Sequence, residues 1–251
     1  LRQDKRFYVT LNTLVDDAQL DAILPILRRL MLTKPDGIIV QDLGLARLIA
    51  REFPTLPLHG STQLAVHTVS GVRMLQELGF SRVVLSRELT FSEISHIRRA
   101  CPAMELKVFI HGAQCYGFSG LCMASHTITR RSANRGECAQ ICRTWFSNEE
   151  RDGYFFSMTD LAAAEDVRRF RDIGIDSLKI EGRMKSPEYV RFAARYYRMI
   201  LDDCADTEAL ATAKDELDTQ FSRASSGGWT FSYGKELIEE NRDTPSLVTD
   251  R

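Results

Sequence analysis

No apolar run in the chain is long enough to span a bilayer. The opening residues, LRQDKRFYV, are too polar for a secretory signal and lead into a strand. Low-complexity tracts are absent, and nothing repeats beyond an alternation of strands and helices. No GxGxxG opens a first strand–helix turn, which argues against a dinucleotide fold. No HExxH is present, so the helix of the common zinc peptidases is missing. Excess charge of either sign is missing too: the formal net charge is -1. A whole-surface attraction to nucleic acid is thereby excluded, and any RNA contact falls to a local patch. These absences imply a cytoplasmic, reducing home, in which thiols stay free for metal rather than pairing as disulfides.

What the chain does have is 251 residues, 44% of them hydrophobic, enough for one large or two small domains. Four of its six cysteines, Cys115, Cys122, Cys138 and Cys142, fall in one stretch, FIHGAQCYGFSGLCMASHTITRRSANRGECAQICRTWF. Their spacing is C-x6-C-x15-C-x3-C. Four thiolates complete either an iron–sulfur cluster or a zinc site. A structural zinc site usually takes two tight pairs, and here only the second pair is tight. Gly112, Gly117, Gly120 and Gly136 allow backbone to fold closely around inorganic sulfide. The spacing therefore favours a bulkier cluster over zinc. Buried free cysteines and disulfides are the structural alternatives. Cys101 and Cys204 lie in helical patterns, as packing residues.

Composition and periodicity place the elements in order. Phe7 to Asn12 is a strand, and Asp16 to Leu32 a helix that Pro25 either kinks or begins. Gly37 to Val40 is a strand, and Leu43 to Phe53 a helix. Leu56 to Thr62 and Arg82 to Arg87 are strands flanking a helix over Val66 to Leu78. A helix over Phe91 to Ala100 precedes a strand, Glu105 to His111, that runs into the cysteine loop. Beyond the loop come a strand at Tyr154 to Met158, a helix at Leu161 to Ile173 and a strand at Ser177 to Ile180. Helices at Pro187 to Leu201 and Glu208 to Phe221 follow, the first opened by its proline. Such alternation predicts a parallel sheet with helices outside. At about 25 residues per unit it fits a (β/α)8 TIM-type barrel, with an open doubly wound sheet as runner-up.

The segments FIHGAQCYGFSGLC, SANRGECAQICR and LKIEGRMKSPEYV resemble the collagenase-like peptidase family U-32. VTLNT, IVQDLG, LHGSTQ, VVLSREL and SMTDL match in the family's order, from about Phe7 to about Leu201. The RSANRGEC…C form is most like the branch that hydroxylates a cytidine of large-subunit ribosomal RNA. What the resemblance implies is a 4Fe–4S cluster on Cys115, Cys122, Cys138 and Cys142, and prephenate as a co-substrate. Family members open with two further strands that this chain does not contain. The expectation is thus an incomplete barrel whose open edge invites a homo-oligomer. In that layout residues 1-203 form the partial barrel with the loop at 111-146, and 204-251 a helix and irregular tail.

Functional groups of parallel α/β folds gather where strands end. Here those ends carry Asn12, Gln41, Asp42, His59, Ser61, Gln63, Arg87, Glu88, His111, Lys179, Glu181 and Arg183. His59, His111 and Glu181 are the candidate catalytic residues. Imidazole titrates near neutral pH, although a satisfied core histidine reads the same way. Lys179 and Arg183 precede a helix start and suit a dicarboxylate, or else form an ion-pair knot with Glu181. Gln63 and Arg87 join them as substrate-binding candidates. Arg130, Arg131, Arg135 and Arg143 lie among Tyr116, Phe118 and Trp145, a mixture suited to single-stranded RNA or to a plain exposed loop.

Three functions compete. An RNA base hydroxylase, forming 5-hydroxycytidine in ribosomal RNA or a related tRNA uridine product, is the reading the resemblance favours. A cysteine peptidase would pair Cys115 with His111. A metal-stabilised scaffold without catalysis is the third.

Overall fold

A computed structural model describes residues 5–183, 185–220, 223–232 and 234–239. The chain is a mixed α/β protein that divides into two compact units, Leu1–Ser86 with His96–Lys107, and Arg87–Ser95 with Val108–Arg251.

The first unit is a run of parallel strand–helix repeats. Its strands are β1 (Tyr8–Leu11), β2 (Gly37–Val40), β3 (Leu58–Gly60), β4 (Phe80–Val84) and the start of β5 (Glu105–Gly112), paired in chain order. Ile38, Val40, Leu58, Val83 and Leu106 are all buried, the near-continuous apolar run expected of strands covered on both faces. Helix α1 (Asp17–Thr33) starts at a capping box. There Asp16 accepts from the Gln19 N–H at 3.0 Å, and the Gln19 side chain accepts from the Asp16 N–H. The helix runs through Pro25 and ends at Lys34, whose φ of 46° stops it. Asp42 caps α2 (Leu43–Glu52) by accepting from the Leu45 N–H at 2.8 Å, and Leu45, Ala46 and Ile49 are its buried face. Thr68 does the same for α3 (Val69–Glu77) through Gly71. Helix α4 (Phe91–Ala100) and strand β5 pass from one unit to the other along the chain.

In the second unit the end of β5 is the central strand. After α5 (Ala124–Thr129) and the small hairpin β6 (Phe146–Ser147) and β7 (Asp152–Gly153), strand β8 (Asp160–Ala162) pairs with β5 antiparallel. Its register is His111↔Ala162 and Gly112↔Leu161. Helix α6 (Val167–Asp172) leads to β9 (Ser177–Ile180), which pairs with β5. Helix α7 (Pro187–Leu201) is capped by Ser186 and buries Tyr189, Ala193, Tyr196, Tyr197 and Ile200 at helical spacing. Helix α8 (Thr207–Asp218), which the expected division places beyond the barrel, packs on α7 within this unit, with Arg195 and Glu216 2.8 Å apart. Strand β10 (Ser225–Ser226) lies parallel on β8, and α9 (Gly228–Phe231) brings Phe231 against Phe91 and Phe170.

Two expectations are corrected. The pairing is not wholly parallel, because β8 runs against β5; the barrel expected to be incomplete is, within each unit, an open sheet among the described residues. Tyr154 to Met158 is not a strand. Its rings turn to partners, Tyr154 edge-on to Trp145 and Phe156 edge-on to Phe146 and Tyr116. The Ser157 N–H closes a turn on the Tyr154 carbonyl at 3.0 Å, and the strand begins only at Asp160. Aromatic packing has overridden β propensity.

Asp160 is almost fully buried and holds Arg223 in a bidentate pair at 2.6 and 3.0 Å. Removing one partner of a buried pair strands the other's charge. Asp160→Ala is expected to lower unfolding stability by about 3–5 kcal/mol, read from urea denaturation.

Candidate functional site

The cysteine loop leaves β5 at Gly112, whose φ is 107°. Any Cβ there would lie 2.6 Å from the Glu181 carbonyl oxygen, so glycine is required. Cys115, Cys122 and Cys142 are half-buried and Cys138 is exposed; all four are free thiols. Each sulfur accepts a backbone N–H. Cys122 accepts from Ala124 at 3.4 Å and Cys138 from Gln140 at 3.4 Å. Gly117 donates to Cys115, and Tyr116 to Cys142. Three of these bonds join a cysteine to the residue two places on, a turn geometry that favours thiolate.

The thiols also feel one another. Burial pushes the Cys115 thiol up, and Cys142 and Cys122 push it further, while Arg87 opposes. Cys142 is likewise raised, by burial first, then by Cys138 and Cys122, with Arg143 opposing. Mutual repulsion thus links all four, which is what a shared cation would relieve. Among the described residues, no group of three or more His, Cys, Asp or Glu side chains is gathered tightly enough to hold a metal ion as placed. The donor set nevertheless fits a thiolate-held cluster: four coupled sulfurs, N–H groups aimed at them and two arginines nearby.

Arg87, whose charge acts on Cys115, is brought together with Lys179, Glu181 and Arg183. The Phe109 ring lies between two cations, Arg87 at 3.9 Å and Lys179 at 4.7 Å from its centroid. Arg87 reaches Glu181 at 3.4 Å, and its Nε is buried with no hydrogen bond among the described residues. Burial lowers Lys179 below the usual lysine range, Glu181 opposing and Arg87 assisting. Glu181 also accepts the Arg183 N–H at 3.0 Å, and its carbonyl accepts from Tyr189 Oη at 2.8 Å. The Arg183 guanidinium lies against Gly136, whose φ is 97°, joining the β9 end to the arginine-bearing half of the loop.

Arg130, Arg131 and Arg135 are exposed, as are Tyr116, Phe118 and Trp145. Arg143 is not part of that surface. It is buried, donating to Ser157 Oγ at 3.1 Å, to the Met158 carbonyl and to the Gln114 carbonyl at 2.7 Å. Spacing made it one more loop arginine; its three acceptors come from segments that only the fold assembles.

The histidines part ways. His111 is buried, with Nδ1 2.9 Å from Tyr197 Oη, which in turn donates to the Ile110 carbonyl at 3.1 Å. It borders a cavity of about 220 Å³ with Asp218 and Arg223. His59 lies within β3 of the first unit, facing the strand beginnings rather than their ends. Gln63 does sit past its strand, accepting from Asn12 at 3.0 Å and Ser61 at 3.0 Å. Sequence reasoning missed Tyr189 and Tyr197. Their spacing along α7 reads as packing, and only the hydroxyl partners reveal a polar role.

An α/β protein with a four-cysteine loop following its fifth strand is the class that fold and site define. Residues 1–240 match Peptidase family U32, and the chain belongs to that family. It is 38% identical over 208 residues to the 23S rRNA 5-hydroxycytidine synthase of Escherichia coli, covering 80% of this chain and 31% of that protein. The tRNA hydroxylation protein P of Escherichia coli is 32% identical, covering 83% of this chain and 59% of that one. A collagenase of Porphyromonas gingivalis is 29% identical, covering 90% and 62%. The chain thus spans less than two thirds of each of these relatives. Among the described residues no helix is long and apolar enough to cross a membrane.

Burial lowers both histidines to about 4, assisted by Arg82 and Lys107 at His59 and by Lys185 at His111, where Asp218 opposes. Unfolded histidine takes its proton near 6.5, so the unfolded chain binds more protons between about 6.5 and 4. The stability these neutral rings contribute is present above 6.5 and is lost as pH falls toward 4. Urea midpoints at pH 7 and pH 5 should show that fall, and His111→Gln should flatten it. Gly136→Ala should displace Arg183 and expose the loop to faster limited proteolysis, with β9 unaffected in hydrogen exchange.

Proposed function

We propose that the chain carries the reaction centre of an iron–sulfur-dependent RNA base hydroxylase. The supporting observation is the loop itself, with three half-buried thiols and an exposed fourth, Cys138, linked by mutual repulsion, and exposed arginines and aromatic rings on its surface. The names of the relatives that hydroxylate ribosomal and transfer RNA favour the same class. Cys115, Cys122, Cys138 and Cys142 hold a 4Fe–4S cluster, which when bound supplies one-electron chemistry. Arg130, Arg131 and Arg135 neutralise phosphates, while Tyr116, Phe118 and Trp145 stack unpaired bases. The target cytidine, with a tRNA uridine as the related case, enters unstacked, because chemistry on a base requires it. Glu181, positioned by Arg87 and by the Tyr189 hydroxyl on its carbonyl, is the proton-accepting group of this centre. Lys179 and Arg183 receive an anionic co-substrate such as prephenate. Tyr197 fixes His111 as a positioning residue behind this centre. A partial barrel whose open edge meets a second copy is the architecture in which we place it, in the cytoplasm.

The peptidase reading has less behind it. A nucleophilic thiol needs a depressed pKa and an imidazole partner, whereas the Cys115 thiol is pushed up and His111 Nδ1 is engaged by Tyr197.

Anaerobic purification should yield a brown protein containing iron and sulfide, and Cys138→Ser should lose both. RNA from cells lacking the protein should, by mass spectrometry, lack one hydroxylated pyrimidine. Colourless protein with zinc on its cysteines, or unchanged RNA, would sink the proposal.

A further inference from the structure

The first unit holds a cavity of about 310 Å³ that plays no part in the centre just described. It opens where the strands begin, between Arg6, Tyr8, Asp36, Pro57, His59, Ser81, Arg82 and Glu105. Two of its walls are buried polar side chains, His59 and Arg82, each 4% exposed. The acidic groups are committed. Asp36 accepts the Phe7 N–H at 2.7 Å, and Glu105 holds Arg82 at 2.6 and 2.8 Å. Tyr8 pins the cations, with Arg82 at 5.2 Å and Lys107 at 5.3 Å from its ring centroid.

His59 is the group left over. Among the described residues neither of its ring nitrogens meets a hydrogen-bond partner; the Tyr8 ring lies at 5.2 Å, Gly37 lies against it, and Arg82 and Lys107 act on it through their charge. The nitrogen-bearing edge lies over Gly37, where a Cβ would come within 2.7 Å of both Nδ1 and Nε2. Side-chain-free backbone at 37 is thus what admits the ring. Neither nitrogen is sealed off from the cavity, so a ligand or water held there can reach the ring.

We propose that this cavity binds a small oxyanion, a phosphate or carboxylate group, through the His59 ring and the Arg82 guanidinium. Arg6 and Arg82 line it and Lys107 lies against the Tyr8 ring, while both carboxylates hold protein donors. His59 supplies an N–H to the anion, and Arg82 the charge. The inference is independent of the reaction centre, because every residue it uses belongs to the first unit.

The test is NMR of the five histidine rings in the whole chain at pH 7, at constant ionic strength. Inorganic phosphate is titrated in one arm and succinate in another. A saturable shift of the His59 ring is expected, at concentrations that leave His67 and His96 unmoved. His59→Gln should identify that signal and weaken binding about tenfold, measured by calorimetry. Gly37→Ala displaces the ring without altering any charge and should weaken binding as much, with a thermal melt to check folding. If it fails to fold, the His59→Gln result decides. Saturation by phosphate alone or by succinate alone names the group. No saturation by either, equal movement of all exposed histidines, or undiminished binding by His59→Gln overturns the site.

Discussion

The second unit depends on one close approach, that of Gly112 to Glu181. At the end of β5 the chain must take a positive φ and accept another strand's carbonyl where a Cβ would otherwise sit. Next to it the Glu181 N–H donates to the His111 carbonyl at 2.8 Å. These two facts join the β9 end to the root of the cysteine loop. They bring Glu181 and the half-buried Lys179 together with Arg87, whose charge acts on Cys115, although the β9 end lies far from both in sequence. A methyl group at position 112 would push that junction apart.

Charge is distributed unevenly around this junction. Arg87 and Lys179 share one aromatic ring and one carboxylate, and burial disfavours the charged form of both. Both cations face Glu181, Glu88 acts more weakly on Arg87, and this charge stands near thiols that repel one another. Each half of that arrangement is costly alone, and the halves offset each other. The exposed arginines of the loop, by contrast, lie in water, where their charge is screened and their value depends on a partner.

Much of this was legible in the residues. β2, α4, β9 and α7 fall where composition, capping and periodicity place them, because each has clear local signals: Gly37 before an apolar run, Ser186-Pro187 at a helix start. The four cysteines are obvious in the sequence, as is the polar character of the β9 end. Three things were not. YFFSM looks like a strand, yet its rings find aromatic partners that lie elsewhere in the chain. Arg143 looks like its neighbours, and only the Gln114, Ser157 and Met158 oxygens make it interior. Parallel pairing was inferred from alternation, which carries no information on direction when a long loop separates two strands. The β5–β8 reversal arises across that loop. His59 shows the limit of reading a strand's end from its sequence, since the short β3 leaves the ring facing its beginning.

Arg143 has one further consequence. By gripping Gln114 beside the first cysteine and Ser157 and Met158 beyond the last, it closes the loop into a frame with its own internal fastening. The chain entropy of bringing those distant ends together is met during folding. On the proposed reading, an incoming inorganic group would meet a loop already fastened at both ends, with the four sulfurs still to be drawn together. Loading would then ask for local rearrangement inside a closed frame, in contrast to zinc fingers, where the ion itself drives collapse.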